Sequence, residues 1–221
     1  MCKIILISKP DEINFDEILK TLDKEPIVLA VNMDDENIDE YKKFLNSENL
    51  AALKKYRSNL KRTRFIKTRA LVNMLISKLN KTEISKLHWK DICGKAYIDN
   101  PLGIKFMISH SEDLSVLAFF RQNVALDIED TRRNVELEKF KDAGIFNFGE
   151  DAYSSKENFF KNFTTLEAYL KYIGKGFYED IKNIYIRRYS AAKFFILDEK
   201  NSLKKEATLI NFASYIIAII Y

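Results

Sequence analysis

The sequence is poor in the residues that build disulfide frameworks, zinc sites and membrane spans. Of its 221 residues 2 are cysteine, Cys2 and Cys93, which fit no metal-ligand spacing and suggest no disulfide framework, so both read as ordinary reduced thiols. His110, one of 2 histidines, has no Cys or His partner nearby, which argues against zinc. Long apolar runs are absent too. Ile4 to Ile7 falls short of a signal-peptide core, and Tyr215 to Tyr221 is far below the ~20 residues that cross a bilayer. A soluble cytoplasmic protein with no membrane partner is expected. With only 3 prolines and 6 glycines, each one is a useful marker of a turn.

What is present is a folded-protein composition, 47% hydrophobic and 13% aromatic, enough for one large domain or two lobes. The net charge of +4 is modest but unevenly spread. Lys54, Lys55, Arg57, Lys61, Arg62, Arg64, Lys67 and Arg69 follow one another with no acidic residue until Glu83. That block predicts a cationic surface for phosphate or an acidic partner.

In chain order, Lys3 to Ser8 and Pro26 to Val31 read as strands, with a helix over Phe15 to Leu22 between them. The acidic run Asp34 to Glu40 opens a helix through Phe44, where negative charge suits the helix N-terminus. Apolar residues at helical spacing predict two helices over Glu48 to Leu79, capped at Ser47, with the basic block on their exposed faces. Gly94 and Lys95 form a turn before a strand, and Pro101 and Gly103 form another. Phe106 to Phe120 reads as an apolar hairpin turning at Glu112 and Asp113, followed by a strand from Val124 to Glu129. Val135 to Phe140 is a short helix. Ser154 to Ile173 is the clearest helix, with a Ser154/Glu157 capping box, Gly174 at its C-terminal end, and Phe159, Phe163, Leu166, Leu170 and Ile173 as a core stripe. The rest reads as strands, Ile181 to Ile186, Ala192 to Ile196, Ala207 to Asn211 and Tyr215 to Tyr221.

A loose repeat emerges: each half begins with a strand, continues through helices and ends in an apolar hairpin. The fold expected is α+β, two similar lobes as a pseudo-dimer, 1–122 and 123–221, each a small, mainly antiparallel sheet packed against helices.

Alternate strand residues face opposite ways, so Asp127 and Glu129 share one face while Leu126 and Ile128 fill the other. Such a pair suits a hard cation such as magnesium, or is simply a solvated pair of structural carboxylates. Glu167 and Lys171, at i and i+4, lie side by side on a helix flank, either as part of that site or as a surface ion pair. Ser109 and His110 point to opposite faces, which argues against a serine–histidine nucleophile pair; phosphate contact is the better reading of His110.

Taken together, Gly94-Lys95, the strand ending Ser109-His110-Ser111, Val124 to Glu129 (VALDIE), and Phe160 to Lys171 (FxxFxxLEAYLK) with Gly174-Lys175-Gly176 behind it resemble the 4′-phosphopantetheinyl transferases of the two-lobed, Sfp type. The resemblance covers roughly Leu50 to Gly176. It implies transfer of the phosphopantetheine arm of coenzyme A, a co-substrate lying between the lobes, to a serine of an apo acyl or peptidyl carrier protein by a monomer. Asp127, Glu129 and Glu167 would bind Mg2+, and Glu167 would also take the serine proton. Lys171 would sit on the pyrophosphate; His110 and Ser109 would contact coenzyme A phosphate, and Lys95 would lie near the adenine. Lys54 and Arg57, one helical turn apart, with Arg69, would hold the 3′-phosphate. The sequence departs from the family pattern at Ala96, Ala125, Leu126 and Phe163, and at Leu166, where a lysine is usual. Two other readings follow from the same residues: a non-catalytic relative binding coenzyme A or carrier protein, and a nucleic-acid-binding module gripping phosphates with the basic helices.

Overall fold

The apolar runs near the start of the chain pair in parallel as β1 (Lys3–Leu6) and β2 (Ile27–Asn32) in the computed structural model, which describes residues 3–34, 36–92, 95–175 and 181–221. Parallel strands need a crossover, and α1 (Phe15–Leu22) provides it over the range its periodicity predicts, capped by Asn14, whose Oδ1 accepts from the Glu17 amide at 3.2 Å. Three helices follow, α2 (Ile38–Lys42), α3 (Ser47–Leu53) and α4 (Asn59–Asn80). The acidic run therefore makes a shorter helix than expected, entered through Asn37 in the left-handed region at φ 57°. The cap of α3 is Asn46 rather than Ser47, its side chain accepting from the Asn49 amide at 2.9 Å.

A short hairpin, β3 (Trp89–Ile92) with β4 (Lys95–Ile98), precedes a longer one, β5 (Lys105–Ser111) with β6 (Leu114–Phe120). Gly94, of the predicted first turn, lies outside the described residues. The second hairpin turns at Glu112-Asp113 as expected, with Glu112 at φ 46°. The main sheet runs β1-β2-β6-β5. Leu71 and Leu75 of α4 join Leu29, Val31, Leu117 and Phe119 of the sheet in its core. The basic block does not all ride outside: Lys67 is 2% exposed because its Nζ donates to the Asn32 carbonyl at 2.9 Å and to Asp34 Oδ1 at 2.5 Å.

The remaining elements are β7 (Ala125–Asp130), α5 (Leu137–Ala143), α6 (Lys156–Tyr172), β8 (Ile184–Arg188), β9 (Lys193–Asp198), β10 (Leu203–Phe212) and β11 (Tyr215–Ile220). They make a second sheet, β7-β11-β10-β9-β8, with every pair antiparallel. Phe159, Leu166 and Leu170 of α6 pack with Ile196, Leu209 and Ile216, and the partly buried Phe163 and Ile173 complete the expected stripe. The cap falls one residue later than predicted: Ser155 is extended and accepts from the Asn158 amide at 3.1 Å, whereas Ser154 is already helical. At the far end Gly174, at φ 71°, closes the helix, with its amide on the Lys171 carbonyl and the Lys175 amide on that of Leu170.

The chain divides into two compact units, Met1–Val124 and Ala125–Tyr221. Each is mixed α+β, with small, mainly antiparallel sheets packed against helices. Their sheets differ in order, and among the described strands the parallel pair, β1 with β2, is in the first. Among the described residues no helix is long and apolar enough to cross a membrane.

Candidate functional site

In the first unit, α4 and β5 wall a cavity of about 570 Å³. Lys61, Arg64 and Thr68 recur at i, i+3 and i+7, so one helical stripe turns all three into it, with Phe65 and Arg69 alongside. Phe106, Ile108 and His110 enter from alternate positions of β5. The two arginines give the cavity its chemistry. Arg64 Nη2 donates to the Glu112 carbonyl, while Arg64 Nε and Arg69 Nη1 are buried without a hydrogen-bond partner among the described residues. Arg69 is sandwiched by aromatics, its guanidinium carbon 3.7 Å from the Trp89 ring centroid and 5.4 Å from that of Phe65. Burial lowers its pKa to about 10, which leaves it charged at neutral pH. Unfilled guanidinium donors beside apolar walls suit a phosphate carried on a flat apolar body.

In the second unit, the pleat of β7 turns Asp127 and Glu129 to the face that α6 covers, where their register partners Ala218 and Ile216 belong to the core. Glu167 and Lys171 stand on the flank of α6 facing them. Lys171 Nζ donates to Asp127 Oδ1 at 2.6 Å, and Glu129 is held by Arg133. Glu167 is raised to about 7, first by burial and then by the charge of Asp127, with Lys171 opposing and Glu129 adding a smaller push. Glu129 is raised for the same reasons, burial leading and Asp127 next, against Arg133. Three carboxylates therefore feel one another across the gap between strand and helix.

No family model matches the chain. It is 36% identical over 121 residues to the 4′-phosphopantetheinyl transferase gsp of Aneurinibacillus migulanus. The match takes in 51% of this chain and 48% of that protein, so the chain spans about half the length of the curated relative it matches. That likeness supports the family the motifs resemble.

The motif residues on which the resemblance rests are placed unevenly. Asp127, Glu129, Glu167 and Lys171 are brought together, and Arg69 and His110 share the cavity of the first unit. Ser109 is not among the cavity's lining residues; it is buried on the alternate face of β5. Lys54 and Arg57 are exposed and do not line the cavity, because α3 ends at Leu53 and breaks the helical spacing that would pair them. Lys61 and Arg64 line it instead; sequence reasoning did not single out that pair, whose i, i+3 spacing is the one signal that could have found it. The side chain of Lys95, and Gly176 behind α6, lie outside the described residues.

An all-oxygen donor set in which Glu129 and Glu167 are raised fits a hard divalent cation. It is not preassembled: among the described residues no three His, Cys, Asp or Glu side chains are spaced to hold a metal, and Lys171 and Arg133 hold two of the acids. Leu166 is 2% exposed in the core, so position 166 serves packing rather than the carboxylate face.

Proposed function

We propose that the protein transfers the 4′-phosphopantetheine arm of coenzyme A to a serine of an apo acyl or peptidyl carrier protein, releasing adenosine 3′,5′-bisphosphate. The observation that carries this reading is the meeting of Asp127 and Glu129 on β7 with Glu167 and Lys171 on α6. Asp127, Glu129 and Glu167 would hold magnesium, which supplies charge neutralisation at the pyrophosphate.

The serine oxygen attacks the β-phosphorus, the bond from that phosphorus to the bridging oxygen breaks, and the nucleotide bisphosphate leaves. Glu167, raised towards neutrality, takes the serine proton directly or through a water. Lys171 stabilises charge on the pyrophosphate as it moves off Asp127. In the first unit Arg64, Arg69 and His110 bind the nucleotide's 3′-phosphate, and the aromatic walls take the adenine. A cavity with aromatic side chains in its walls, and Lys67 turned inward, favour a small phosphate ligand over a nucleic-acid backbone.

The test is incubation with coenzyme A, magnesium and a panel of apo carrier proteins, followed by mass spectrometry of the carriers. Gain of one phosphopantetheine arm supports the proposal. Tight coenzyme A binding without transfer to any carrier favours the non-catalytic relative, to which Leu166 at the family's lysine position points.

A further inference from the structure

The cavity of the first unit is backed by a chain of buried amides that ends on its central cation. Asn46 Nδ2 donates to the Leu87 carbonyl at 2.7 Å, fixing the segment that leads into β3. Asn73, fully buried in the middle of α4, donates through Nδ2 to Asn49 Oδ1 at 2.7 Å and to the Phe44 carbonyl at 2.8 Å. Its Oδ1 then accepts the indole N–H of Trp89 at 2.9 Å, while the Trp89 amide donates to Glu48 Oε2 at 3.2 Å. Phe106 meets the indole edge-on with ring centroids 5.4 Å apart. The indole is thus fixed at its backbone, its N–H and its edge. Against its face, at 3.7 Å, lies the guanidinium of Arg69, the group whose Nη1 points a donor without a partner among the described residues.

A buried asparagine inside a helix is costly unless its amide is used, and here three of its hydrogen bonds are made. Three-point fixing of an aromatic ring is more than packing needs. It freezes a cation that has long rotamer freedom, and freezing removes the ordering cost from ligand binding.

We propose that Trp89 is a positioning residue: locked by Asn73, it holds Arg69 flat and aimed so that the cavity is set for a phosphomonoester before one arrives. This rests on the reading of the cavity as a phosphate site.

Trp89 is the only tryptophan in the chain, so its emission reports the cavity without a label. The probe is adenosine 3′,5′-bisphosphate, titrated by calorimetry and by fluorescence. Wild-type protein should bind it, with a change in Trp89 emission that follows the same isotherm. Trp89→Leu should weaken binding about tenfold, and Trp89→Phe, which keeps an aromatic face but cannot donate to Asn73, should recover only part of that loss. In an Arg69→Ala background, Trp89→Leu should have almost no further effect, because the two act as one unit.

Equal losses from Trp89→Leu with and without Arg69 would mean a general structural role and would overturn the proposal. So would ligand saturation that leaves Trp89 emission unchanged, a result that needs no variant to fold. Wild-type protein that fails to bind the bisphosphate would overturn both the phosphate reading and the role of Trp89.

Discussion

The cations of the first unit and the acids of the second are handled in opposite ways. In the first, Arg64 and Arg69 each have one buried guanidinium nitrogen without a hydrogen-bond partner among the described residues, and aromatic faces rather than carboxylates keep Arg69 in place. In the second, Asp127 and Glu129 are each matched by a cation of the same unit, Lys171 and Arg133. A cation over an aromatic face keeps its hydrogen-bond donors available, whereas a carboxylate in an ion pair has at least one oxygen engaged. The first arrangement leaves donors for an anion; on the proposed function, the second would have to exchange its own cations before taking a metal.

The sharpest way to break that contrast is Asp127→Ala. On the proposed function it lowers transfer by about 10³-fold or more, since it removes a ligand to the charge-neutralising ion and the partner of Lys171. Binding of adenosine 3′,5′-bisphosphate to the first unit should stay within about twofold of wild type, because on the proposed function its phosphate contacts would come from Arg64 and Arg69. Calorimetry that shows both properties falling together would join what the comparison separates.

Lys171→Met comes next. Taking away the cation 2.6 Å from a buried aspartate costs about 2 kcal/mol of stability without metal, read as a lower Tm. Added magnesium should restore part of it, since a ligand that binds only the folded state stabilises it. A variant whose Tm ignores magnesium would count against the acids as a metal site.

A smaller effect separates the cavity's cations from their neighbours. Arg69→Ala weakens binding of the bisphosphate about tenfold, the order expected for one charge-assisted contact. Lys54→Ala and Arg57→Ala change it by less than about twofold, as exposed charges do. Equal effects from all three would return the phosphate to the helix end that the sequence motif suggested.

The smallest concerns Asp198, a second kind of acid in the same unit. It is buried, and burial pushes its pKa up, yet hydrogen bonds from Asn201, both side chain and amide, and from the Tyr169 hydroxyl outweigh that and hold it below its ordinary 3.8. A carboxylate with a lowered folded pKa adds stability above its unfolded value and loses it as pH falls through the folded one. Asp198→Asn should therefore cost about 1 kcal/mol at neutral pH and progressively less below pH 3.8, followed by thermal melts across pH. Glu167, raised rather than lowered, is shifted in the opposite direction.

Much of this architecture is legible along the chain because it is local. Helical periodicity places α1 from Phe15 to Leu22, and glycine with its positive φ ends α6 at Gly174. The alternation of β7 puts Asp127 and Glu129 on one face, and the i, i+4 step puts Lys171 beside Glu167. Local rules failed where two neighbours qualify equally: Ser154 and Ser155 are both good caps, and only the backbone of Ser155 is extended. What depends on distant pairing was not legible. The parallel partnership of β1 with β2 depends on a crossover, and Lys67 is buried only because Asp34 and the Asn32 carbonyl arrive from elsewhere. The cavity's walls combine α4 with β5, so the stripe Lys61, Arg64 and Thr68 acquires meaning only when the strand is beside it.

The central claim is tested most directly by weighing an apo carrier protein after incubation with coenzyme A, magnesium and either wild-type protein or the Glu167→Ala variant. The account predicts that the carrier gains one phosphopantetheine arm with wild type and none with the variant at equal time and concentration. Transfer that persists undiminished in Glu167→Ala would contradict it.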